Sequence, residues 1–393
     1  MFHLREVVNL QDERLFLEIV DSIYIHEKNW VRPLDIEITK IFDKNQNRRF
    51  QTGDAIRWLL FDEHKKPIGR IAAFYDDMGK NDWQQPTGGI GFFECINSQQ
   101  AANTLFDKAK NWLTEKGLEA MDGPINFGNR DYFWGCLKEG FHQPIFNMLY
   151  NLHYYNELIE NYGFKNYFNQ YTYRIVFDTV FMNPILKIKA ERLKRDPKLM
   201  FTNYNKKMGD QIAIDFSAVF NKAWAHFPGV KPFEIPRAKE LFHSLKPILD
   251  ERLVILARYD DKPIGFFIMI PDINQLITNF DGKMNWYNKI RLLINLKLFK
   301  KCNRVVGLIF GVIPEFQGKG IEAGLVMKFA ENANQKSFPY KTLEMNWVGD
   351  FNPTMIKLVK LIGGTEYKTH VTYRYLFDRN KPFFRAPVVN SKT

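Results

Sequence analysis

The chain is poor in cysteine. Cys95, Cys136 and Cys302 are the three in 393 residues, and their spacings fit neither a disulfide framework nor a metal site. A stapled extracellular scaffold and a zinc module are therefore excluded, no metal is expected, and the expected compartment is the reducing cytoplasm. Long apolar runs are missing as well. No stretch of about 18 apolar residues is free of charge, so no helix is expected to cross a bilayer. The first residues, Met1 to Val8, lack the pattern of a signal peptide. Histidines do not cluster. His226, among aromatics, reads as a packed core or rim residue, and no Ser-His-Asp arrangement can be argued. Acidic residues disappear locally: Lys283 to Pro314 holds seven Lys or Arg and no Asp or Glu.

What is present suits a folded chain of two or three domains. Apolar residues make up 45%, enough for sizeable cores, and 35 phenylalanines suggest thick cores or apolar clefts. The net charge of +11 would attract nucleic acid, anionic lipid or a phosphorylated ligand. No nucleic-acid motif accompanies the basic regions, so a nucleic-acid partner is not expected.

The stretch Val305 to Ala333 carries the most chemistry. An apolar, β-prone run to Ile313 ends at Pro314, a loop with Gly318 and Gly320 follows, and a helical pattern runs from Ile321 to Ala333. A strand that passes through glycines into a helix leaves backbone N–H groups free at the helix start, and these seat a phosphate. No Gly-Lys-Ser/Thr closes the loop, so it is not a Walker loop, and it lacks the three spaced glycines of a dinucleotide fingerprint. The spacing Gln317-x-x-Gly320-x-Ala323 resembles the acyl-CoA diphosphate loop of the GNAT acyltransferase superfamily. That resemblance implies acyl-CoA as cosubstrate. Gln317, Gly318, Lys319, Gly320, Ile321, Glu322 and Ala323 would hold its diphosphate, and the strand end at Val312 would pair with its pantetheine arm.

The chain reads as two similar halves. Arg57–Phe61 and Ile68–Phe74 form a hairpin around a polar turn, as do Leu253–Tyr259 and Ile264–Ile270, and Lys66-Pro67-Ile68-Gly69 matches Lys262-Pro263-Ile264-Gly265. A strand, a helix, a strand, a helix stopped by glycine and a last strand follow in each half. The expected fold class is α+β: two tandem GNAT domains, each a mixed β-sheet flanked by helices. The expected organisation is a degenerate GNAT-like domain over 1–178, a linker with a helix over 179–207, and a GNAT domain with the acyl-CoA loop over 208–393. The first half has no glycine loop after Cys95.

If Thr342–Trp347 is a strand, Glu344 and Asn346 share one face and Met345 and Trp347 the other. In the GNAT pattern this strand splays from its predecessor and the thioester sits in the gap. Glu344 is then a candidate general base, against the plainer reading of a solvent-facing carboxylate. Asp272, at a strand end, is a second candidate as base or counter-ion; Pro271-Asp272-Ile273-Asn274 is also strong turn chemistry, which is the favoured reading. Asn274, Asn346 and Trp347 are candidate substrate contacts. Asn352 before Pro353 reads as a helix cap, and the resemblance adds a CoA contact. The family's helical tyrosine, which protonates the thiolate, is replaced by Val359, so the acid is unassigned among Tyr367, Tyr373 and Tyr375, with Tyr373 carried as the catalytic candidate. Lys283 to Arg304 mixes Trp286, Tyr287 and an aliphatic middle with basic residues. This suits a helix in an anionic membrane interface. An ordinary covering helix is favoured, because the basic residues spread around the wheel.

Gly88–Phe127, the Pro271–Asn274 turn and the loop with Leu343–Val348 resemble the bacterial ceramide-synthase-like branch of GNAT proteins. The resemblance implies transfer of an acyl group from CoA to a primary amine, with a long-chain, sphingoid-like amine as one acceptor class. The protein would be cytoplasmic, or peripheral at the inner membrane. Two alternatives remain: an inert acyl-CoA or lipid-binding protein, given the missing tyrosine, and an aminoacyl-tRNA-dependent transferase, ranked last because the CoA loop is retained.

Overall fold

The computed structural model describes residues 2–82, 84–128, 130–177, 184–193, 195–224 and 232–388. His226 lies outside them. Thirteen strands occur among the described residues: β1 (His3–Glu6), β2 (Asp54–Phe61), β3 (Pro67–Tyr75), β4 (Thr87–Cys95), β5 (Ala120–Gly123), β6 (Cys136–Glu139), β7 (Lys165–Val176), β8 (Leu199–Asn203), β9 (Val254–Tyr259), β10 (Lys262–Pro271), β11 (Arg304–Val312), β12 (Thr342–Gly349) and β13 (Thr365–Leu376). They form one sheet in the order β1-β2-β3-β4-β5-β13-β7-β12-β11-β10-β9-β8, with β6 beside β13.

The two expected hairpins are β2–β3 and β9–β10. Each half also contains one parallel pair, which needs a crossover helix. The helix Gln99–Glu115 joins β4 to β5, and the helix Ile321–Ala333 joins β11 to β12. Ser98 starts the first of these, its hydroxyl accepting from the Ala101 amide at 3.3 Å. Sequence periodicity had not marked β1, β6, β8 or the helices Leu10–Ile23, Gln211–Ala223 and Ile235–Leu245.

The centre of the sheet joins the halves by exchange. β7, the last strand of the first half, lies against β12 of the second, and β13, the last strand of the chain, lies against β5 of the first. β7 and β13 run antiparallel beside each other. The cores follow the exchange. Tyr173 and Ile175 on β7 pack with the second half, whereas Val371, Tyr373 and Tyr375 on β13 pack with the first. Thr172-Tyr173-Arg174 and Thr372-Tyr373-Arg374 occupy equivalent places. Arg174 faces Glu344 across β7 and β12, and Arg374 faces Asp122 across β13 and β5.

The three cysteines are free and buried. Among the described residues no helix is long and apolar enough to cross a membrane.

Candidate active site

A gap opens in the sheet beside β11. On one side β11 pairs with β10, with an irregularity that sets Met269 opposite Gly307 and Ile268 opposite Ile309, so Leu308 is an extra residue. Such a bulge bends its strand and raises its twist. On the other side β11 pairs with β12 from Arg304–Thr342 to Gly307–Met345 and no further. Beyond that point β12 follows β7, with Val348 opposite Tyr171. From Leu308 to Val312 the β12-facing edge of β11 therefore has no strand partner among the described residues. Leu308 is exposed and Ile309 and Phe310 are half-buried, so this edge is open to a ligand that carries amides.

At its far end β11 runs into the glycine loop. Gln317 Nε2 donates to the Val312 carbonyl at 2.9 Å and ties the loop to the strand. Gly318 and Gly320 have φ of 72° and 95°, the left-handed region that L side chains avoid. A Cβ on Gly318 would meet no atom within 4 Å, so the loop faces open space. Gly320 starts the helix Ile321–Ala333 without a side-chain cap, and its carbonyl accepts from the Ala323 and Gly324 amides. The first-turn donors point into that space together with the positive end of the helix dipole, and the loop thus fits a diphosphate. Glu322 Oε1 sits 3.4 Å from the Gly318 amide, a weak contact that an incoming diphosphate would displace.

At the near end of β11 lies a buried network of charge. Glu344 is 0% exposed. Its Oε1 accepts from Arg304 Nη1 at 3.2 Å and its Oε2 from Lys368 Nζ at 2.6 Å. Arg304 Nε donates to Asp272 Oδ2 at 2.7 Å. Asp272 Oδ1 accepts from the amides of Phe146 and Asn274 at 3.0 and 3.1 Å. Two carboxylates and two cations balance, as buried charges must. Burial pushes the Lys368 ammonium below its ordinary range, opposed by Glu344. A segment of the first half closes over the network: Arg304 Nη2 and Asn274 Nδ2 both donate to the Pro144 carbonyl, at 2.9 and 2.8 Å.

Glu344 and Asp272 are therefore brought together, neither of them facing solvent; the plainer reading of Glu344 as a solvent-facing carboxylate is wrong, because both its oxygens are held inside by cations. Asn274 belongs to the same network. Asn346 lies further along β12, donating to the Met148 sulfur at 2.9 Å and accepting from Thr172 Oγ1 at 3.3 Å. Trp347 donates from Nε1 to the Arg130 carbonyl at 2.9 Å, and Asn352 caps its helix by accepting from the Met355 amide at 3.1 Å. Tyr373 is not brought to this group. It lies five residues along β13 from Lys368, in the first half's core, where its hydroxyl bonds Glu160 at 2.7 Å and Asn156 at 2.9 Å. Strand exchange is the reason. Of the three tyrosines considered, Tyr367 stands beside the network, its ring stacked on His142 and under Arg174.

Arg304 and Lys368 were not singled out by the sequence. Lys368 carried no signal of its own, because its strand, Thr365–Leu376, also holds Glu366, His370 and Arg374. Arg304 was one of seven basic residues in an acid-free segment. The Gly140–Leu149 segment carries no sequence signal of its role.

A hollow beside Lys368 is lined by Pro144, Ile145, Met148, Leu149 and His370. A second one, lined by Trp30, Phe92, Phe133 and Tyr150 and by the buried pair Arg70 and Glu94, meets it at Met148 and Leu149.

No model of a known protein family matches the chain. It is similar to protein YghO of Escherichia coli, 25% identical over 376 residues, or 94% of each chain. It is also similar to a bacterial ceramide synthase of Caulobacter vibrioides, 25% identical over 370 residues, covering 91% of this chain and 93% of the relative. Among solved structures it resembles a tandem GNAT protein of the clavulanic acid biosynthesis pathway, with TM-score 0.56, 9% identity, and 97% and 100% of the two chains covered. It also resembles the glucosamine N-acetyltransferase region of a fungal multi-domain β-N-acetylglucosaminidase, with TM-score 0.53 and 12% identity, covering 95% of this chain and 38% of that longer one. The fold is the tandem GNAT fold, as expected, and the sequence resembles the bacterial ceramide synthase branch.

Proposed function

We propose that the protein transfers an acyl group from acyl-CoA to a primary amine carried on a long chain. The observation that carries this reading is the continuity of β11. A single strand links the buried carboxylate network at its start, an unpaired edge at its middle and an open glycine loop at its end. The diphosphate would rest on Gly318, Gly320 and the first turn of the helix, with Lys319, Ile321, Glu322 and Ala323 shaping the seat and Gln317 tying it to Val312. The pantetheine amides would pair with the free edge of β11, which sets the thioester carbonyl in the gap above Glu344.

The amine nitrogen then attacks the carbonyl carbon, forming C–N as C–S breaks. A backbone N–H of the Leu308–Phe310 stretch stabilises the oxyanion. The amine gives up its proton to the Glu344–Lys368 pair, and the thiolate leaves as the free thiol after taking up one proton. Asp272 holds Arg304, which holds Glu344, so it is a positioning residue in this scheme. Asn274 fixes the covering segment, Asn346 lines the way from the gap towards Met148, and Trp347, tied to the Arg130 carbonyl, would be a more distant acceptor contact. The likeness to a ceramide synthase supports a carbon chain on the acceptor.

The test is thiol release from long-chain acyl-CoA, with a sphingoid-type amine, a short water-soluble amine and no amine compared. Release that depends on amine, with the amide found by mass spectrometry, supports the proposal. A second reading, a binder of acyl-CoA that does not turn it over, is favoured by one observation: both Glu344 oxygens are engaged by cations. Tight CoA binding without amine-dependent release would establish that reading instead.

A further inference from the structure

The segment that leads into β11 presents a surface with no partner among the described residues. The helix Trp286–Leu293 starts at Asn285, whose side chain accepts from the Asn288 amide at 2.9 Å, and continues as a π-helical turn over Ile294–Leu298. Its inner side is anchored: Leu292 and Leu296 are buried in the core of the second half. Its outer side carries Trp286, Ile290, Ile294 and Leu298 at every fourth position, with Tyr287 and Phe299 beside them. Trp286 is 74% exposed and Leu298 72%. A stripe at four-residue spacing drifts around an α-helix, because a turn takes 3.6 residues. The wider π turn holds more residues per revolution and brings Leu298 back under Ile294.

Lys283, Lys289, Lys297, Lys300 and Lys301 surround this stripe, all exposed. Among the described residues none of the five is ion-paired. The spread of basic residues around the wheel favoured a covering helix on sequence alone; the structure shows the apolar residues divided between an inner anchor and an outer stripe.

We infer that this outer face docks on an anionic lipid bilayer. Apolar side chains ringed by lysines, with Trp and Tyr at one end, match a headgroup layer in which the rings and aliphatics enter and the ammonium groups meet phosphates. A second copy of the same face would oppose lysine with lysine. Nucleic acid would leave Ile290, Ile294 and Leu298 unused. The contiguous apolar stripe is of the kind that marks an interaction surface. The docking face feeds directly into Arg304, whereas the glycine loop lies past Val312, at most roughly 26 Å along β11 at 3.3 Å per residue. Resting on the acyl-transfer reading, this geometry brings the amine from the membrane side and CoA from the water side.

Vesicle flotation tests the inference. The full-length protein should float with phosphatidylcholine vesicles containing phosphatidylglycerol, weakly with phosphatidylcholine alone, and less as salt rises. The triple variant Lys297→Glu, Lys300→Glu, Lys301→Glu should bind anionic vesicles about a hundredfold or more weaker. The double variant Trp286→Ser, Leu298→Ser should lose the binding that survives high salt. Equal flotation of wild type and both variants overturns the inference. So does no flotation on any lipid, or soluble polyglutamate binding as tightly as vesicles. Thiol release with the sphingoid-type amine, presented in detergent micelles without vesicles, is run alongside on all three proteins. Release without flotation defeats only the membrane inference, and flotation without release defeats only the acyl-transfer reading.

Discussion

At the scale of single residues, the balance of the buried network decides what substitution does. Glu344 answers two cations, and removing one partner of a buried pair leaves the others uncompensated, at a cost of about 3–5 kcal/mol. Glu344→Gln is therefore expected to lower both stability and turnover. If Glu344 receives the amine proton, turnover in the folded fraction should fall roughly a hundredfold with CoA affinity retained. Calorimetry with CoA, beside single-turnover rates normalised to folded protein, separates the two effects. Turnover that tracks only the folded fraction would leave Glu344 a structural residue. His370 supplies a second residue-scale expectation. Its Nε2 lies 3.0 Å from the Leu149 carbonyl and so donates to it, while Nδ1 has no partner among the described residues. Burial pushes its pKa down from 6.5 to about 4. As pH falls, the unfolded chain takes the proton first. This contribution to stability is complete above about pH 6.5 and is lost as pH falls towards 4, on the order of 3 kcal/mol in total. Urea unfolding at several pH values should show His370→Gln flattening that part of the profile. An unchanged profile would show that His370 is solvated in the folded protein.

At the scale of elements, the glycine loop is where sequence and structure meet most closely. Gly318 and Gly320 take left-handed backbone angles at the start of a helix, and both the need for glycine and the open donors were legible from a strand-loop-helix pattern. Gly320→Glu adds a side chain where φ is positive and a carboxylate where a diphosphate should sit. CoA binding should fall below detection in calorimetry while the melting temperature drops only modestly. Affinity within a few-fold of wild type would remove the loop from the binding site. The hairpins were legible for the same reason, since turn chemistry such as Lys66-Pro67 is local. The buried network was only half legible. Glu344 on a strand and Asp272 at a strand end were legible as candidate acids, but their cations were not, because nothing near Arg304 or Lys368 in the sequence tells which distant strand each side chain will face. Tyr373 was misplaced by the same blindness. Its strand was recognised, its neighbours were not.

At the scale of the molecule, the exchange of last strands makes the two halves depend on each other. β7 delivers Tyr173 and Ile175 to the second half's core, and β13 delivers Tyr373 and Tyr375 to the first. Burying one such side chain is worth about 1.5–3 kcal/mol, and a whole domain is stable by only about 5–15 kcal/mol. Losing two or three of them, with a central ladder of the sheet, should leave neither half folded alone. Each would also expose long unpaired edges at β5 or β12, the kind that aggregate. Expressed separately, fragments 1–178 and 208–393 should be insoluble or lack a cooperative melt. Expressed together they should copurify as a one-to-one complex that binds CoA, because β7 and β13 then regain their central partners; what is missing is the connecting segment with β8, which pairs only with β9 at the far edge of the sheet. The degenerate half would be needed for the site in a physical sense: its segment closes over Arg304 and Asp272, and its last strand backs Glu344. A soluble fragment 208–393 with a sharp melt and undiminished CoA affinity would contradict this dependence and make each half a domain in its own right.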